Sequence, residues 1–568
     1  MALPKKVWKI NRFHKGISNV LEKGTFWFSQ CLEFDFFTPF MTVANKFFKE
    51  TDNGTLTNLA DVYWATIFDG DEFIINKLDG KIFRHDYPDW AEVHDNSYAW
   101  GGLGLFGDED YMYYASNSYV GRYDGSTWTD NWQSFRESNS ADLCPITKFL
   151  KYICFGNHRY LAVWDTANST WDNDRITLPK GYEIRWFVVL TDYMVISAHH
   201  DNFGSALFFW DGVSQTYNRA LQLSQVRSLA GVVDKNTLYV ITRDGWISVF
   251  DGVGLKKLKR FPDMELSDYI HINPDAVKVY QGLIHIAKDG GNDPEKRFQY
   301  CGIWVYNPTT NSLYLKHRLS NDAYIEQGGV TSVYSLFLNS SGNTLRVTWY
   351  GYPDGGSTSR YIIDVSNDTG SFRPYKWGAY YISQLLDDEP YRRKRFNQVI
   401  LNFWKEMQDS SFARFIVKYN ETETYVKKKF FCSGGGYNYF DASSYNLYGL
   451  EVGDEVVVLS GSGAGQIRHI KEIDTDINRV YVDETLYVSD NGNQYASNTY
   501  LMVTNFKKIG EIKGSEYQGK VNKMMRFNTR SKKFQIAIDI WSNAGYIGEE
   551  NQGLKDISVV YIPDRIIK

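Results

Sequence analysis

The chain has 568 residues, 16% of them aromatic, and a formal net charge of −5. That length exceeds one ordinary core and predicts a large repeat domain with something smaller beside it. The near-balanced charge argues against a dedicated nucleic-acid binder, and no apolar run approaches the ~20 residues of a membrane span.

Met1–Phe13 reads MALPKKVWKINRF and lacks the apolar stretch of a secretory leader. Residues 1–60 are irregular, with FWF at 26–28 and EFDFFTPF at 33–40 as strands expected to help close the repeat domain. Repeats then occupy residues 61–385. The clearest unit runs from Ile184 to Leu223 as four apolar-rich runs, each closed by a turn signal. Its hinge is Phe209-Trp210-Asp211-Gly212, an aromatic followed by the Asp-Gly pair that a tight turn favours. Related hinges stand at Phe83-Arg84-His85-Asp86, Tyr123-Asp124-Gly125, Trp164-Asp165-Thr166, Phe250-Asp251-Gly252, Tyr306-Asn307-Pro308 and Ile363-Asp364-Val365. Their Asp/Asn positions are 38, 41, 46, 40, 56 and 57 residues apart. Four short strands per ~40–50 residues is the signature of a β-propeller blade, and the number of hinges predicts roughly seven blades.

The repeats lengthen between the second and third strands, at 199–204, 289–299 and 351–359. In a propeller these loops emerge on one face, which makes them candidate partner-contact loops. The candidate contact residues among them are His199, His200 and Asp201; Asn292, Asp293, Glu295 and Arg297; and Tyr352 and Asp354.

After residue 385 the repeat stops. RRKRFNQVILNFW at 392–404 reads as a strand because FARFIVKY and ETYVKKKFF continue in the same manner. Val-rich runs and Gly turns over 449–487 predict a small barrel of the SH3 or OB kind. Strands return at 532–541 and 554–563. The expected organisation is a C-terminal β-sandwich from 386–435 and 500–568, with the barrel inserted at 436–499. The fold class is all-β throughout.

Chemical motifs are sparse. Tyr123-Asp124-Gly125-Ser126-Thr127-Trp128 approaches a sialidase-type Asp-box, but its glycine falls one place early. His199-His200-Asp201 is a dense set of metal-capable side chains, yet neighbours on a strand face opposite ways. The run Gly461-Ser462-Gly463-Ala464-Gly465 leads into an alternating strand and not a helix, so it reads as a turn. Asp474-Thr475-Asp476-Ile477-Asn478 starts like a calcium loop, but Arg479 stands where a glycine is needed. Cys31, Cys144, Cys154, Cys301 and Cys432 form no CxxC pair and read as free buried thiols. The expectation is no enzyme, no catalytic residue, no cofactor and no metal.

Three features resemble virion proteins of tailed bacteriophages. Phe13-His14-Lys15-Gly16-Ile17-Ser18 is similar to the opening of podovirus tail nozzle (tubular) proteins. The degenerate Trp-Asp-Gly units resemble nozzle and tail-hub propeller blades. Phe534-Gln535-Ile536, Asp556-Ile557-Ser558-Val559-Val560-Tyr561 and the Gly-Ala-Gly-Gln stretch at 463–466 resemble the closing strands and barrel of phage structural proteins. The resemblance implies a structural role in the virion tail. It also implies a ring-shaped homo-oligomer, commonly a hexamer, and contacts with other tail or portal-adaptor proteins. Such a protein is made in the host cytoplasm and needs no cofactor. The alternatives are a carbohydrate-binding tail spike or receptor-binding propeller that recognises host surface glycans, and a glycosidase with paired carboxylates.

Overall fold

The computed structural model describes residues 5–13, 15–16, 26–30, 32–34, 41–43, 48–49, 62–86, 89–96, 101–138, 143–223, 227–261, 270–288, 302–318, 330–351, 359–364, 379–386, 392–404, 414–422, 424–458, 467–484, 499–516, 519–541 and 553–564. These residues form an all-β protein of β-propeller-like architecture, with many four-stranded antiparallel sheets.

The local cause is the hinge. Asp124 Oδ1 accepts the backbone N–H groups of Ser126 and Thr127 at 2.9 and 2.7 Å. Asp165 does the same for Ala167 and Asn168, Asp211 for Val213 and Ser214, and Asp251 for Val253 and Gly254. Asn307 caps Thr309 and Thr310. Each short side chain satisfies two donors that the turn would otherwise leave bare, and so reverses the chain. Gly212 follows at φ +79°, a backbone region that L side chains rarely enter.

The Ile184–Leu223 unit consists of Tyr182–Val189, Met194–His200, Gly204–Trp210 and Arg219–Leu223, paired in sequence order. Trp210 is fully buried, with its Nε1–H donating to the Ser214 carbonyl at 2.8 Å. Equivalent sheets run Trp64–Phe68 to Asp89–His94, Gly104–Gly107 to Trp128–Ser134, Ile146–Phe149 to Thr170–Thr177, and Ser228–Asp234 to Leu255–Arg260. A meander of the same kind, Val277–Tyr280 to Ser312–Arg318, opens a larger sheet. One more sheet is formed by Val330–Leu338, Leu345–Gly351 and Ser359–Asp364, with Phe48–Lys49 as its outer strand.

The leading strands of these units touch one another in a closed circuit. Trp64–Phe68 neighbours Gly104–Gly107, then Ile146–Phe149, Tyr182–Val189, Ser228–Asp234, Val277–Tyr280 and Val330–Leu338 follow, and the last returns to Trp64–Phe68. Close approach is needed there: a Cβ on Gly107 would lie 2.3 Å from the Ile67 carbonyl oxygen. Polar links close the circuit. Arg346 Nη1 lies 2.8 Å from Glu72 Oε2, and Glu72 Oε1 accepts the Ser340 N–H at 2.8 Å. Asp275 accepts from Ala65 N–H and from Ser335 Oγ, which ties three units together.

Beyond residue 378 two sheets share one apolar core. One has the order Leu32–Phe34, Met41–Val43, Leu554–Pro563, Lys394–Phe403 and Asn522–Ser531, with Lys6–Ile10 also paired to Leu554–Pro563. The other runs Phe26–Gln30, Ala379–Ser383, Gln535–Trp541, Arg414–Asn420 and Tyr500–Lys513. Phe396 stacks on Phe534 at 4.1 Å, Phe403 meets Phe415 at 4.9 Å, and Phe26 stacks on Phe34 at 4.9 Å. The aromatic residues Phe26, Phe28 and Phe34 therefore enter this core, and of the strands before residue 60 it is Phe48–Lys49 that completes a sheet in the circuit.

Tyr500–Lys513 is long enough to leave this core and enter another. Its first half pairs with Val426–Phe431 and Asp454–Val458, followed by Ile467–Asp474, Arg479–Val482 and Tyr439–Asp441. Phe430, Phe440, Val456, Val458, Ile470, Val480, Leu501 and Val503 form a separate small core there. The glycine run 461–465 and the Gly-Ala-Gly-Gln stretch lie outside the described residues, whereas Asp474 closes its hairpin by accepting the N–H groups of Asp476 and Ile477.

Breaking the link between the last and first sheets of the circuit should be costly, because Glu72 is only 4% exposed. Arg346→Met is expected to destabilise the protein by about 3–5 kcal/mol, the range for removing one partner of a buried ion pair. Denaturant titration checks this as a lower midpoint; an unchanged midpoint would show that the link contributes nothing.

Candidate functional site

Of the three expected contact loops, one falls on described residues. Asn292, Asp293, Glu295, Arg297, Tyr352 and Asp354 lie outside them. The strands that flank 289–301 and 352–358 are the second and third of their units, as are those flanking Asp201–Phe203.

His199 and His200 belong to the strand Met194–His200 and not to an irregular loop, and they do not converge. The His199 Nε2–H donates to the Ser228 carbonyl at 2.6 Å, toward the next sheet of the circuit. His200 faces the other way, 4.5 Å from the Phe203 ring and 5.1 Å from Tyr182, and its Nδ1 accepts the Asn202 N–H. Asp201 is exposed and reaches Arg227 at 3.5 Å. These three side chains cannot share an ion, because the strand alternation sends them apart. Phe203 is 62% exposed at the tip of the loop.

Among the described residues, a dense buried polar group lies elsewhere, on adjacent strands of the large sheet. Tyr380, Asp539, Lys418, Thr504, Glu455 and His469 come from the strands Ala379–Ser383, Gln535–Trp541, Arg414–Asn420, Tyr500–Lys513, Asp454–Val458 and Ile467–Asp474. Lys418 and Glu455 have no exposed surface. The Lys418 ammonium contacts the Glu455 carboxylate and lies 2.6 Å from Asp539 Oδ1. It also sits 4.7 Å from the centre of the Tyr380 ring, on the face that attracts cations. Glu455 Oε1 accepts from Thr504 Oγ1 at 2.8 Å and from the Tyr380 hydroxyl at 3.2 Å.

Burial and the neighbouring Glu455 carboxylate push the Asp539 carboxyl up, against the pull of Lys418. Tyr380 is held well above the ordinary phenol range by burial and by Glu455. His469 turns its Nδ1 to Asp483 Oδ2 at 3.2 Å, and Asp483 Oδ1 accepts the His469 backbone N–H at 2.9 Å. Burial raises Asp483, but the bonds from His469 outweigh it and hold that carboxyl below its usual range. Among the described residues, Glu455, His469 and Asp539 are the set whose ligand atoms converge closely enough to hold a metal, all within 4.8 Å of one another. They come from three strands scattered over 85 residues of sequence, so no spacing rule exposes them. The one available signal was the presence of charged residues on otherwise apolar strands, as in ARFIVKY and QIAIDIW.

Cys144 and Cys154 are free and buried, Cys432 is buried as well, and burial pushes each thiol up, so none of the three has the character of a nucleophile.

The buried histidines make stability depend on pH. Burial lowers His199 to about 4 and His285 to about 3, against 6.5 for an ordinary imidazole. Below pH 6.5 the unfolded chain binds protons that the folded chain refuses. Their contribution is therefore complete above pH 6.5 and is lost as pH falls toward 4 for His199 and toward 3 for His285. His199 accounts for roughly 3 kcal/mol of that loss. Melting temperature measured from pH 7 to pH 4 should fall, and His199→Gln should flatten part of the slope; an identical slope in the variant would show that His199 titrates freely.

No family model matches the chain, and no curated protein does. Among solved structures, the computationally designed Ika8 protein is similar at a TM-score of 0.36 and 13% identity, over 53% of this chain and 89% of that one. The extracellular domain of the hybrid two component system BT4673 from B. thetaiotaomicron is similar at a TM-score of 0.41 and 10% identity, over 77% of this chain. The match spans 47% of that protein's length.

Proposed function

We propose that the closed circuit of sheets is a seven-bladed β-propeller, that the two sheets beyond it are a β-sandwich, and that residues 436–499 form a small barrel inserted into that sandwich. On this reading the protein is a structural component of a tailed-bacteriophage virion, nozzle- or hub-like, without chemistry of its own. It assembles into a ring and docks onto other tail or portal-adaptor proteins.

The observation that carries the reading is the way the two parts are joined. The strand Phe26–Gln30 bridges Ser312–Arg318 of the circuit to Ala379–Ser383 of the next layer, at Gln30–Leu315 and Phe26–Ser383. Lys6–Ile10 is then locked against Leu554–Pro563 along five residue pairs. Hydrogen-bonded sheet thus runs from one part into the other, and a flexible linker would not give that stiffness. Stiffness of this kind suits a part that transmits force within a particle. The motifs at Phe13–Ser18 and Asp556–Tyr561 point to the same class of particle.

A second reading, glycan binding by the same component, is favoured by Phe203, whose exposed ring lies in the same short turn as the exposed Asp201. An aromatic face next to a carboxylate can stack on a sugar and accept its hydroxyls.

Two measurements test these readings. Purified tailed particles encoded with this chain should contain it in fixed stoichiometry, with antibody label on the tail, and the isolated 65.7 kDa chain should form a ring of several copies. A chain that stays monomeric and is absent from particles would overturn the structural reading. On a glycan array, Phe203→Ala should abolish any signal if the loop binds sugar; a signal indifferent to the substitution would remove the loop from consideration.

A further inference from the structure

We propose that Glu455, His469 and Asp539 form a buried binding site for one divalent transition-metal ion, with Asp483 orienting the imidazole. The starting point is His469. Its ring is buried, and its Nδ1–H is committed to Asp483 Oδ2 at 3.2 Å. In the neutral ring this leaves the lone pair on Nε2, and that atom is buried without a hydrogen-bond partner. Carboxylate oxygens of Glu455 and Asp539 lie within 4.8 Å of the ring's ligand atom, and a buried lone pair among carboxylates is repulsive unless a cation lies between them.

The separations suit an ion. The three ligand atoms lie within 4.8 Å of one another, while Nε2 makes no hydrogen bond to either carboxylate. Two ligands that each stand about 2.1 Å from a common metal are themselves roughly 3–4 Å apart. The His469–Asp483 pair reproduces the usual support of a metal-bound imidazole, whose second nitrogen donates to a carboxylate. One imidazole with two carboxylates favours zinc or manganese over calcium, which prefers an all-oxygen shell.

Charge points the same way. Glu455, Asp539 and Asp483 bring three carboxylates to this region against the single buried ammonium of Lys418. Lys508 lies 3.8 Å from Asp483 and is partly exposed. A divalent cation balances what Lys418 leaves over, and Lys418 bridges the two carboxylates. The site ties the end of the sheet core to the start of the small core, because Asp539 belongs to the first, His469 to the second, and Glu455 stands on the strand between them. The inference is independent of the virion role.

The test uses the untagged full chain. After exchange into chelator-free buffer, elemental analysis should find about one zinc or manganese per chain. After stripping with chelator, added Zn²⁺ should raise the melting temperature. Asp483→Asn keeps all three ligands and should weaken Zn²⁺ binding by about 10- to 100-fold, the range for losing the partner of a ligating histidine. His469→Gln should lose the bound metal and the Zn²⁺-dependent shift. A wild-type chain that holds no metal and shows no response to Zn²⁺ or Mn²⁺ would overturn the proposal and assign the gap to an ordered water. An equal response in His469→Gln would overturn it too. Should either variant fail to fold, the wild-type metal content decides alone.

Discussion

The constraint on which the whole structure depends is the pairing of sheet edges. A four-stranded sheet in water leaves two rows of backbone donors and acceptors open and two faces half covered. Here neighbours cover the faces, and two of the sheets also gain an edge partner. The faces are covered because each leading strand contacts the next around a closed circuit, and the outer edge of one sheet is met by Phe48–Lys49. Remove one member and its neighbours on both sides lose cover, which is why the units stand as a set and not as separable modules.

The same constraint explains where charge is tolerated inside. Glu72 with Arg346, Asp275 with Lys278 and Ser335, and Lys418 with Glu455 and Asp539 all stand where separate elements meet. A buried ion pair is a poor source of net stability beside well-packed apolar residues, but it is intolerant of misregister, since a displaced partner leaves an uncompensated charge. At these junctions the cost of a wrong arrangement is therefore much larger than the gain from the right one. Apolar contacts such as Phe396 on Phe534 hold the layers together, and the charged contacts select one alignment of them.

The aromatic excess belongs to the same design. Trp90, Trp210 and Trp304 are fully buried, and Trp128 lies between His94 and Tyr123 with ring centres 4.1 Å away on each side. Large flat side chains fill the wedge between neighbouring sheets, whose twist opens gaps that aliphatic residues would leave partly empty.

What the sequence determined by itself was everything governed by local rules. Strand runs and Asp/Asn hinges follow from alternation and from side chains that cap their own turn, so Asp124, Asp165, Asp211, Asp251 and Asn307 were legible one hairpin at a time. That neighbours on a strand diverge was equally legible, but that His199 and His200 stand on the strand Met194–His200 and not in the loop after it was decided by the structure. Tertiary structure alone decided how distant segments combine. Nothing local in Phe26 or Lys6–Ile10 tells that they join strands more than 350 residues away, since edge pairing has no sequence code beyond apolar fit. Nor could Glu455, His469 and Asp539 be grouped in advance: each reads as an isolated polar residue in a strand, and only the order of strands in the finished sheet sets them around one point.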